Sequence, residues 1–326
     1  MNPGKVSNAI LKRSVLKQIK KREEYADKPA VGVDCAYIRY GKKDNPDVVS
    51  SVSCGAGEAA IASLVYKAAD NIYAGGGIPV AAQCSVVMPL KFEEARLRLI
   101  MESVQKQCEA FSMQISGGHT QVSSAVNEPV VTITAIGFCR GRSFSAKNVR
   151  PGQDIIMTKW IGIGGIRQMI EKNREEILKF YRPQVLETAM GDESDLSVAD
   201  EAKILMDIPG VSAMHDVSEG GIFAALWDMA EAGKVGLDID FKKIPVKQEI
   251  IEICEIFDVN PYELESLGAL LVTADCGSDI IKILSQSGIN AVVIGRTTDG
   301  NDRIMHNDDE VRYLDTPKRD EVYRFI

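Results

Sequence analysis

The amino-acid sequence predicts an α/β protein of two domains. Three observations carry this reading. Runs of strand length alternate with amphipathic segments of helix length, the alternation restarts after the turn signal Val149-Arg150-Pro151-Gly152, and 326 residues with 45% hydrophobic content suffice for two cores. The boundary is placed near Pro151, giving residues 1–150 and 151–326 as the two units.

Ile10, Val15, Leu16 and Ile19 recur at roughly helical spacing among Lys12, Arg13, Lys17, Lys20 and Lys21, so residues 6–24 read as an amphipathic helix with a solvated basic face. Residues 31–40 and 48–53 are β-rich. Residues 59–73 carry the small side chains that let a helix lie close to a sheet. The run Gly75-Gly76-Gly77-Ile78-Pro79 stops that helix, because a proline disfavours helix in the residue before it. Residues 80–88 then predict a strand, 92–111 a long amphipathic helix and 130–139 a β-branched strand. In the second half, strands are expected at 154–159, 211–216, 267–274 and 290–296. Helices are expected at 166–180, 221–232 (closed by Gly233) and 280–286.

A net charge of −8 argues against nucleic acid as the main partner, since phosphate binding needs a concentrated excess of Lys and Arg. Seven cysteines without a C-x-x-C pair fit neither a disulfide framework nor a zinc site and point to a reducing cytoplasm. No signal-like apolar stretch follows the first charges, and no run reaches the roughly 18 apolar residues of a membrane span, so no membrane association is expected.

Four segments could carry chemistry. His215-Asp216-Val217-Ser218-Glu219-Gly220-Gly221 lies between a strand and a helix, where free N–H groups of a first helical turn favour an anion and Asp216 could hold Mg²⁺. The same residues also read as a Ser218 cap with glycines that permit tight packing, and the residues alone leave both readings open. Ser116-Gly117-Gly118-His119-Thr120-Gln121 reads as a loop that approaches a ligand, with His119 able to donate to phosphate or move a proton, although a lone turn histidine is more often structural. The chain has His119, His215 and His306 and none at helical ligand spacing, so zinc is not predicted. Trp160-Ile161-Gly162-Ile163-Gly164-Gly165-Ile166 lacks the G-x-G-x-x-G spacing of a dinucleotide turn. Residues 67–73 end a helix with Asp70 and Asn71, in isolation an ordinary terminus, and Cys35 and Cys54 read as small buried hydrophobes.

Taken together and in order, Asp34-Cys35-Ala36, Ala69-Asp70-Asn71-Ile72 with Gly76 and Pro79, Gly117-Gly118-His119-Thr120, the His215 to Gly221 segment and Ser266-Leu267-Gly268-Ala269-Leu270-Leu271 resemble the aminoimidazole-ribonucleotide-synthase-related, PurM-like superfamily over nearly the whole chain. Ile244-Pro245-Val246 and Asn260-Pro261-Tyr262 resemble its hydrogenase maturation factors of the HypE type more than thiamine-monophosphate kinase or selenophosphate synthetase. The resemblance implies an N-terminal sheet domain that joins a second copy's in a dimeric barrel, a C-terminal α/β domain, and ATP with Mg²⁺ in a cleft near the homodimer interface. It implies nucleotide contacts from Asp34, Asp70, Asn71, Gly117, Gly118, Thr120, Gly220 and Gly221, metal ligation by Asp34 and Asp216, and catalytic roles for His119 and Asp216. The implied chemistry is phosphorylation of an amide-like oxygen on a small or protein-borne substrate. In the hydrogenase branch this dehydrates a carbamoyl group on a C-terminal cysteine to a thiocyanate, alongside a maturation partner protein.

Val33 stands where the family commonly has an acid, Ser50-Ser51-Val52-Ser53 replaces a Thr-Asp strand end, Asp70-Asn71 reverses the usual order, and Gln121 replaces a glutamate. Fewer carboxylates should weaken Mg²⁺ binding and phosphoryl transfer together. The sequence ends Val322-Tyr323-Arg324-Phe325-Ile326 without a terminal cysteine, so carbamoyl dehydration in cis is not expected. Three readings follow: an ATP-dependent maturation-factor-like enzyme, a degenerate homologue that binds nucleotide or a partner without turnover, and a formylglycinamidine or aminoimidazole ribonucleotide synthase-like ligase.

Overall fold

The computed structural model describes residues 4–20, 29–38 and 48–325. The chain opens with one helical turn, α1 (Asn8–Ile10), followed by a π-helical turn (Leu11–Val15) and a 3₁₀ turn (Leu16–Gln18). The regular helix expected over 6–24 is therefore absent from its described part. Val15 and Ile19 stay exposed, and polar contacts to the second unit, not an apolar stripe, hold the segment. Residues 21–24 of that expected helix and the 39–40 end of the first expected strand lie outside the described residues.

The first sheet comprises β1 (Ala36–Ile38), β2 (Val48–Ala56), β3 (Gly77–Met88), β4 (Gln114–Val122) and β5 (Val130–Cys139) in the order β1-β2-β5-β3-β4. Its neighbours are antiparallel except β3 and β4. The alternation in β5 turns Val131, Ile133 and Ala135 into the core, against α3 (Leu64–Ala74), while α2 (Glu58–Ile61) lies against β2. Close approach needs small groups there: a Cβ at Gly137 would sit 2.6 Å from Ile72 Cγ2. α4 (Glu94–Ala110) leads into β4. Pro79 falls inside β3 at a bulge, where a missing N–H is tolerated.

Residues 116–121 form an edge strand, not the expected loop. Gly118 permits pairing with β3, since a Cβ there would lie 1.8 Å from Cys84 O, whereas at Gly117 nothing lies within 4 Å. The outward face of the sheet carries Val52 and Phe138, 62% and 59% exposed.

The second sheet comprises β6 (Asp154–Thr158), β7 (Val211–Val217), β8 (Gly236–Asp240), β9 (Ala269–Ala274), β10 (Ala291–Thr298), β11 (Arg303–Asn307) and β12 (Glu310–Tyr313) in the order β12-β11-β8-β10-β6-β9-β7. α5 (Ile163–Ile177), α6 (Pro183–Met190), α7 (Ala199–Met206), α8 (Gly221–Gly233), α9 (Gln248–Ile256) and α10 (Gly277–Gln286) complete the unit. β9 is buried along its whole length, which explains its unbroken apolar run. Gly233 does not close α8 in a left-handed conformation. That conformation falls on Lys234 (φ 56°), and Gly233 instead clears the Cβ of Val149, 2.8 Å from where its own would be.

The architecture is thus mixed α/β, with two sheet-containing units in the two-domain PurM-like arrangement. Ile156, Val198, Leu205, Leu270 and Val272 of the second unit belong to the same apolar core as α3 and the first sheet. Among the described residues, no helix is long and apolar enough to cross a membrane.

Candidate functional site

Residues 29–35 cross α8 so closely that a side chain at Gly32 (φ +73°) would meet Asp228 O at 2.1 Å. The crossing delivers Asp34 to β7. Ser51 Oγ donates to the Asp34 carbonyl at 3.2 Å and Cys35 Sγ to the Asn71 carbonyl at 2.9 Å, which pins the start of β1 to β2 and α3. There the ligand-capable atoms of Asp34, His215 and Asp216 lie within 4.8 Å of one another, and His215 Nδ1 is 2.5 Å from Asp34 Oδ2.

Burial pushes the His215 imidazolium down, but the Asp34 carboxylate, helped by Asp216 and Asp228, outweighs it and lifts the pKa to about 9. His215 therefore carries its proton at neutral pH. Burial works to raise Asp34, yet His215 and Lys5 hold it below the usual carboxylate value. Asp216 is pushed up to about 6, first by burial and then by Asp34. Its Oδ1 is buried with no hydrogen-bond partner. An orphaned carboxylate oxygen is costly, and beside a second aspartate it is the expected mark of a cation position. The donor set fits Mg²⁺, which prefers hard oxygen ligands, with Asp34 and Asp216 supplying them. His215, with its Nδ1 against Asp34, orients that carboxylate.

Asp70 and Asn71 lie within α3 and reach the same region. Asp70 Oδ1 accepts from Ser197 Oγ (2.8 Å) and the Val198 N–H (3.1 Å), so the second unit holds this side chain. Burial raises Asp70 well above the usual carboxylate range, against the hydrogen bonds from Ser197 and Val198, and Asp216 and Glu201 add to the push. Asp70 Oδ2 and Asn71 Oδ1 are buried without partners.

Gly117, Gly118, His119 and Thr120 stand apart within one chain. They occupy β4, at the opposite edge of the sheet from β1, where His119 Nε2 contacts only the neighbouring Gln121 Oε1 at 3.3 Å among its recorded hydrogen bonds. Gly220 (φ +87°) precedes α8 and Gly221 (φ +65°) is its first residue, and a Cβ on Gly221 would lie 2.5 Å from Tyr262 O. Their N–H groups are engaged within the chain, Gly220 donating to Asp320 Oδ2 (2.5 Å) and Gly221 to Ser218 O (3.1 Å). Ser218 does not cap α8, which has no side-chain cap.

Sequence reasoning missed Lys5, Glu219, Asp228 and Asp320. Glu219 Oε1 accepts from the Lys5 N–H (3.0 Å) and from Tyr323 Oη (3.0 Å), and Asp228 Oδ1 accepts from Asn8 Nδ2 (3.3 Å). The available signal was Asp228 and Glu231, three apart on an apolar helix and opposite in charge to the basic N-terminal stretch. Asp320 gave none, because Gly220 and Glu265, whose N–H groups it accepts, are remote in sequence.

Comparison with known proteins agrees with this fold. A Methanocaldococcus jannaschii protein named for hydrogenase expression and formation is 27% identical over 230 residues, covering 68% of this chain and 65% of that protein. The carbamoyl dehydratase HypE of Rhodobacter capsulatus is 26% identical over 236 residues, covering 70% of this chain and 66% of the relative. The matched region thus spans just under two thirds of the length of these relatives. Among solved structures, HypE in a HypE–HypF complex superposes with a TM-score of 0.72 at 20% identity, covering 87% of this chain and 93% of the other. HypE in complex with ATP superposes with a TM-score of 0.72 at 16% identity, covering 98% and 97%. The chain matches the AIR synthase related protein N-terminal domain over residues 32–139 and the C-terminal domain over residues 150–307, and it belongs to that family.

Proposed function

We propose that this protein is a hydrogenase-maturation-factor-like, ATP-dependent enzyme that activates an amide or carbamoyl oxygen by phosphorylation, with Asp34 and Asp216 holding Mg²⁺. The observation that carries the reading is the buried, unpartnered Oδ1 of Asp216 beside Asp34. The relative named carbamoyl dehydratase and the fold neighbour solved with ATP point the same way.

When bound, Mg²⁺ would neutralise charge on the triphosphate. Asp34 and Asp216 would hold it, and the His215 proton keeps Asp34 oriented and ionised. The substrate oxygen attacks the γ-phosphorus, ADP leaves, and the phosphorylated oxygen then departs as phosphate. For a carbamoyl group that second step breaks the C–O bond while the nitrogen gives up its two protons to phosphate and solvent, which leaves a nitrile, so ATP becomes ADP and phosphate as the elements of water are removed.

A homodimer is part of the proposal. The outward face with Val52 and Phe138 exposed is the kind of apolar sheet surface that a second copy covers. Pairing is also what would bring His119, Thr120, Gly117 and Gly118 near the acids, since within one chain β4 lies at the edge of the first sheet opposite β1, which Asp34 precedes, and Asp216 lies in the second sheet. A maturation partner is proposed on the neighbour solved as a HypE–HypF complex, and a cytoplasmic setting on a sequence of seven cysteines that form no C-x-x-C pair.

Asp70, pushed well above the usual carboxylate range by burial, and Asp320, already seated on the Gly220 N–H, favour a second reading, a nucleotide-binding homologue without turnover. Thermal unfolding separates the two from the ground up. MgATP should raise Tm by mass action, and absence of a shift at millimolar ATP would refute both. Hydrolysis stimulated by a carbamoyl or amide substrate supports the enzyme; binding without it leaves the second reading. Asp216→Asn should retain the fold and weaken Mg²⁺-dependent nucleotide affinity, and an unchanged affinity would remove Asp216 from the site.

A further inference from the structure

Lys159 follows β6 at the turn into α5, and its backbone is left-handed, with φ 54°. That conformation strains a lysine and suits a glycine, so what the position keeps is the side chain. The side chain is enclosed, 12% exposed, and three oxygens surround its ammonium. It donates to the Ser194 carbonyl (2.9 Å) and the Ser197 carbonyl (2.5 Å), and it lies 3.0 Å from Glu201 Oε2. That carboxylate oxygen forms no hydrogen bond, so charge and not direction ties it to Lys159.

The three oxygens belong to one short stretch of chain. Ser194 lies in the 3₁₀ turn Glu193–Leu196, Ser197 ends that turn, and Glu201 stands in the first turn of α7. Glu201 is fully buried, which pushes its carboxyl above the ordinary value, and Lys159 is the strongest influence in the other direction. Thr158 Oγ1 donates to Glu201 Oε1 (3.0 Å) and accepts the Leu270 N–H (3.1 Å), so the cage is anchored to β9. The other side of the stretch meets the first unit, where Ser197 Oγ and the Val198 N–H hold Asp70 Oδ1. Ser197 thus gives its carbonyl to Lys159 and its hydroxyl to Asp70.

We propose that Lys159 is a positioning residue, a tethered cation around which residues 194–201 are arranged and which, through Ser197 and Val198, fixes Asp70 at the candidate nucleotide site. Main-chain carbonyls that converge on one point are how a protein holds a bare monovalent cation. A lysine brings the same compact charge on its own stem. Take the charge away and two carbonyls and a buried carboxylate face each other with nothing between them. The stretch would then shift, and the grip on Asp70 would go with it. The consequence for nucleotide rests on the functional reading above; the cage itself does not.

The test is chemical rescue in the full chain, with ammonium chloride replacing tetramethylammonium chloride at equal ionic strength. Lys159→Gly relieves the backbone and empties the cage, and comparing one variant in two salts cancels the backbone effect. Its Tm should rise by at least about 3 °C more than wild type when ammonium is supplied. Lys159→Met fills the same space without charge and should show no such gain. Calorimetry should find MgATP binding to Lys159→Gly at least about tenfold weaker than wild type in tetramethylammonium, and restored in ammonium. Equal Tm responses in wild type and Lys159→Gly would overturn the proposal, as would a gain in Lys159→Met matching that of Lys159→Gly. MgATP affinity in Lys159→Gly equal to wild type without ammonium would overturn the positioning of Asp70. If no form binds MgATP, the functional reading falls while the Tm responses still decide the role of Lys159. Should Lys159→Gly fold in neither salt, nitrogen NMR of wild type decides: an ammonium signal protected from exchange at neutral pH, with cross-relaxation to Ser197 and Glu201 protons, supports the cage, and its absence overturns it.

Discussion

Replacing His215 by glutamine should flatten the pH dependence of stability between pH 7 and 9. His215 is buried, and its pKa rises from 6.5 when unfolded to about 9 in the folded chain. A group whose pKa is raised by folding contributes its full stabilisation below the unfolded value and loses it as pH climbs through the folded one. At about 1.36 kcal/mol for each pH unit between those values, the contribution is about 3 kcal/mol, present at pH 6 and gone above 9. Neighbouring groups titrate elsewhere. Asp216 and Asp320, raised to about 6 and about 7, cost stability as they ionise at lower pH, and the buried thiols of Cys108 and Cys254 enter only from 9 upward. Urea unfolding at intervals across the window should therefore show wild type losing about 3 kcal/mol and His215→Gln losing little. Parallel curves for the two proteins would refute the ion pair with Asp34 as the cause, and an imidazole resonance that titrates near 6.5 would refute it independently.

Lys67→Met should cost about 3 kcal/mol, because Lys67 and Glu265 form a 2.7 Å ion pair with side chains 16% and 5% exposed and the orphaned carboxylate would stay buried. Adding Glu265→Gln to that variant should recover much of the loss in denaturant unfolding. Gly118→Ala should lose about 2 kcal/mol or more, since its Cβ would lie 1.8 Å from Cys84 O, whereas Gly117→Ala, facing open space, should stay within about 0.5 kcal/mol. Equal Tm values for the two alanine variants would contradict the account of β4 as a glycine-dependent strand. Lys234→Gly should stabilise by about 1 kcal/mol by relieving a left-handed lysine at the end of α8, and calorimetry showing a loss would sink that reading.

What the sequence made legible divides along a physical line. The strand at 130–139 was readable in full because alternation, β-branched residues and local turns at both ends agree. Residues 116–121 were misread because adjacent glycines signal a loop locally, while the cause of Gly118 is a carbonyl on another strand. α6 and α7, eight residues each, were too short to show periodicity above their surroundings. The same limit applies at Gly233, whose neighbour Val149 is remote in sequence. Within the candidate site, Asp216 stood out because it ends the strand signal at 211–216, whereas Asp34 lies inside the β-rich run 31–40 and was marked only by the family resemblance. That His215 would keep its proton depends on Asp34, and that Gly220 would spend its N–H depends on Asp320; neither partner is near in sequence.

The acids also explain why the two units are inseparable. Asp34 and Asp70 come from the first, while His215, Asp216 and Ser197 come from the second, and each of the first pair is held by one of the second group. Lys67 of α3 and Glu265 before β9 form a further buried pair across the same boundary. Breaking a buried pair by removing one partner costs several kcal/mol, because the remaining charge keeps its desolvation without its counter-ion. Parting the units would break these contacts together and expose the apolar core that both share. Assembly of the site and docking of the units are therefore one equilibrium, so a ligand that bridges Asp34 and Asp216 stabilises the interface by the same free energy with which it binds.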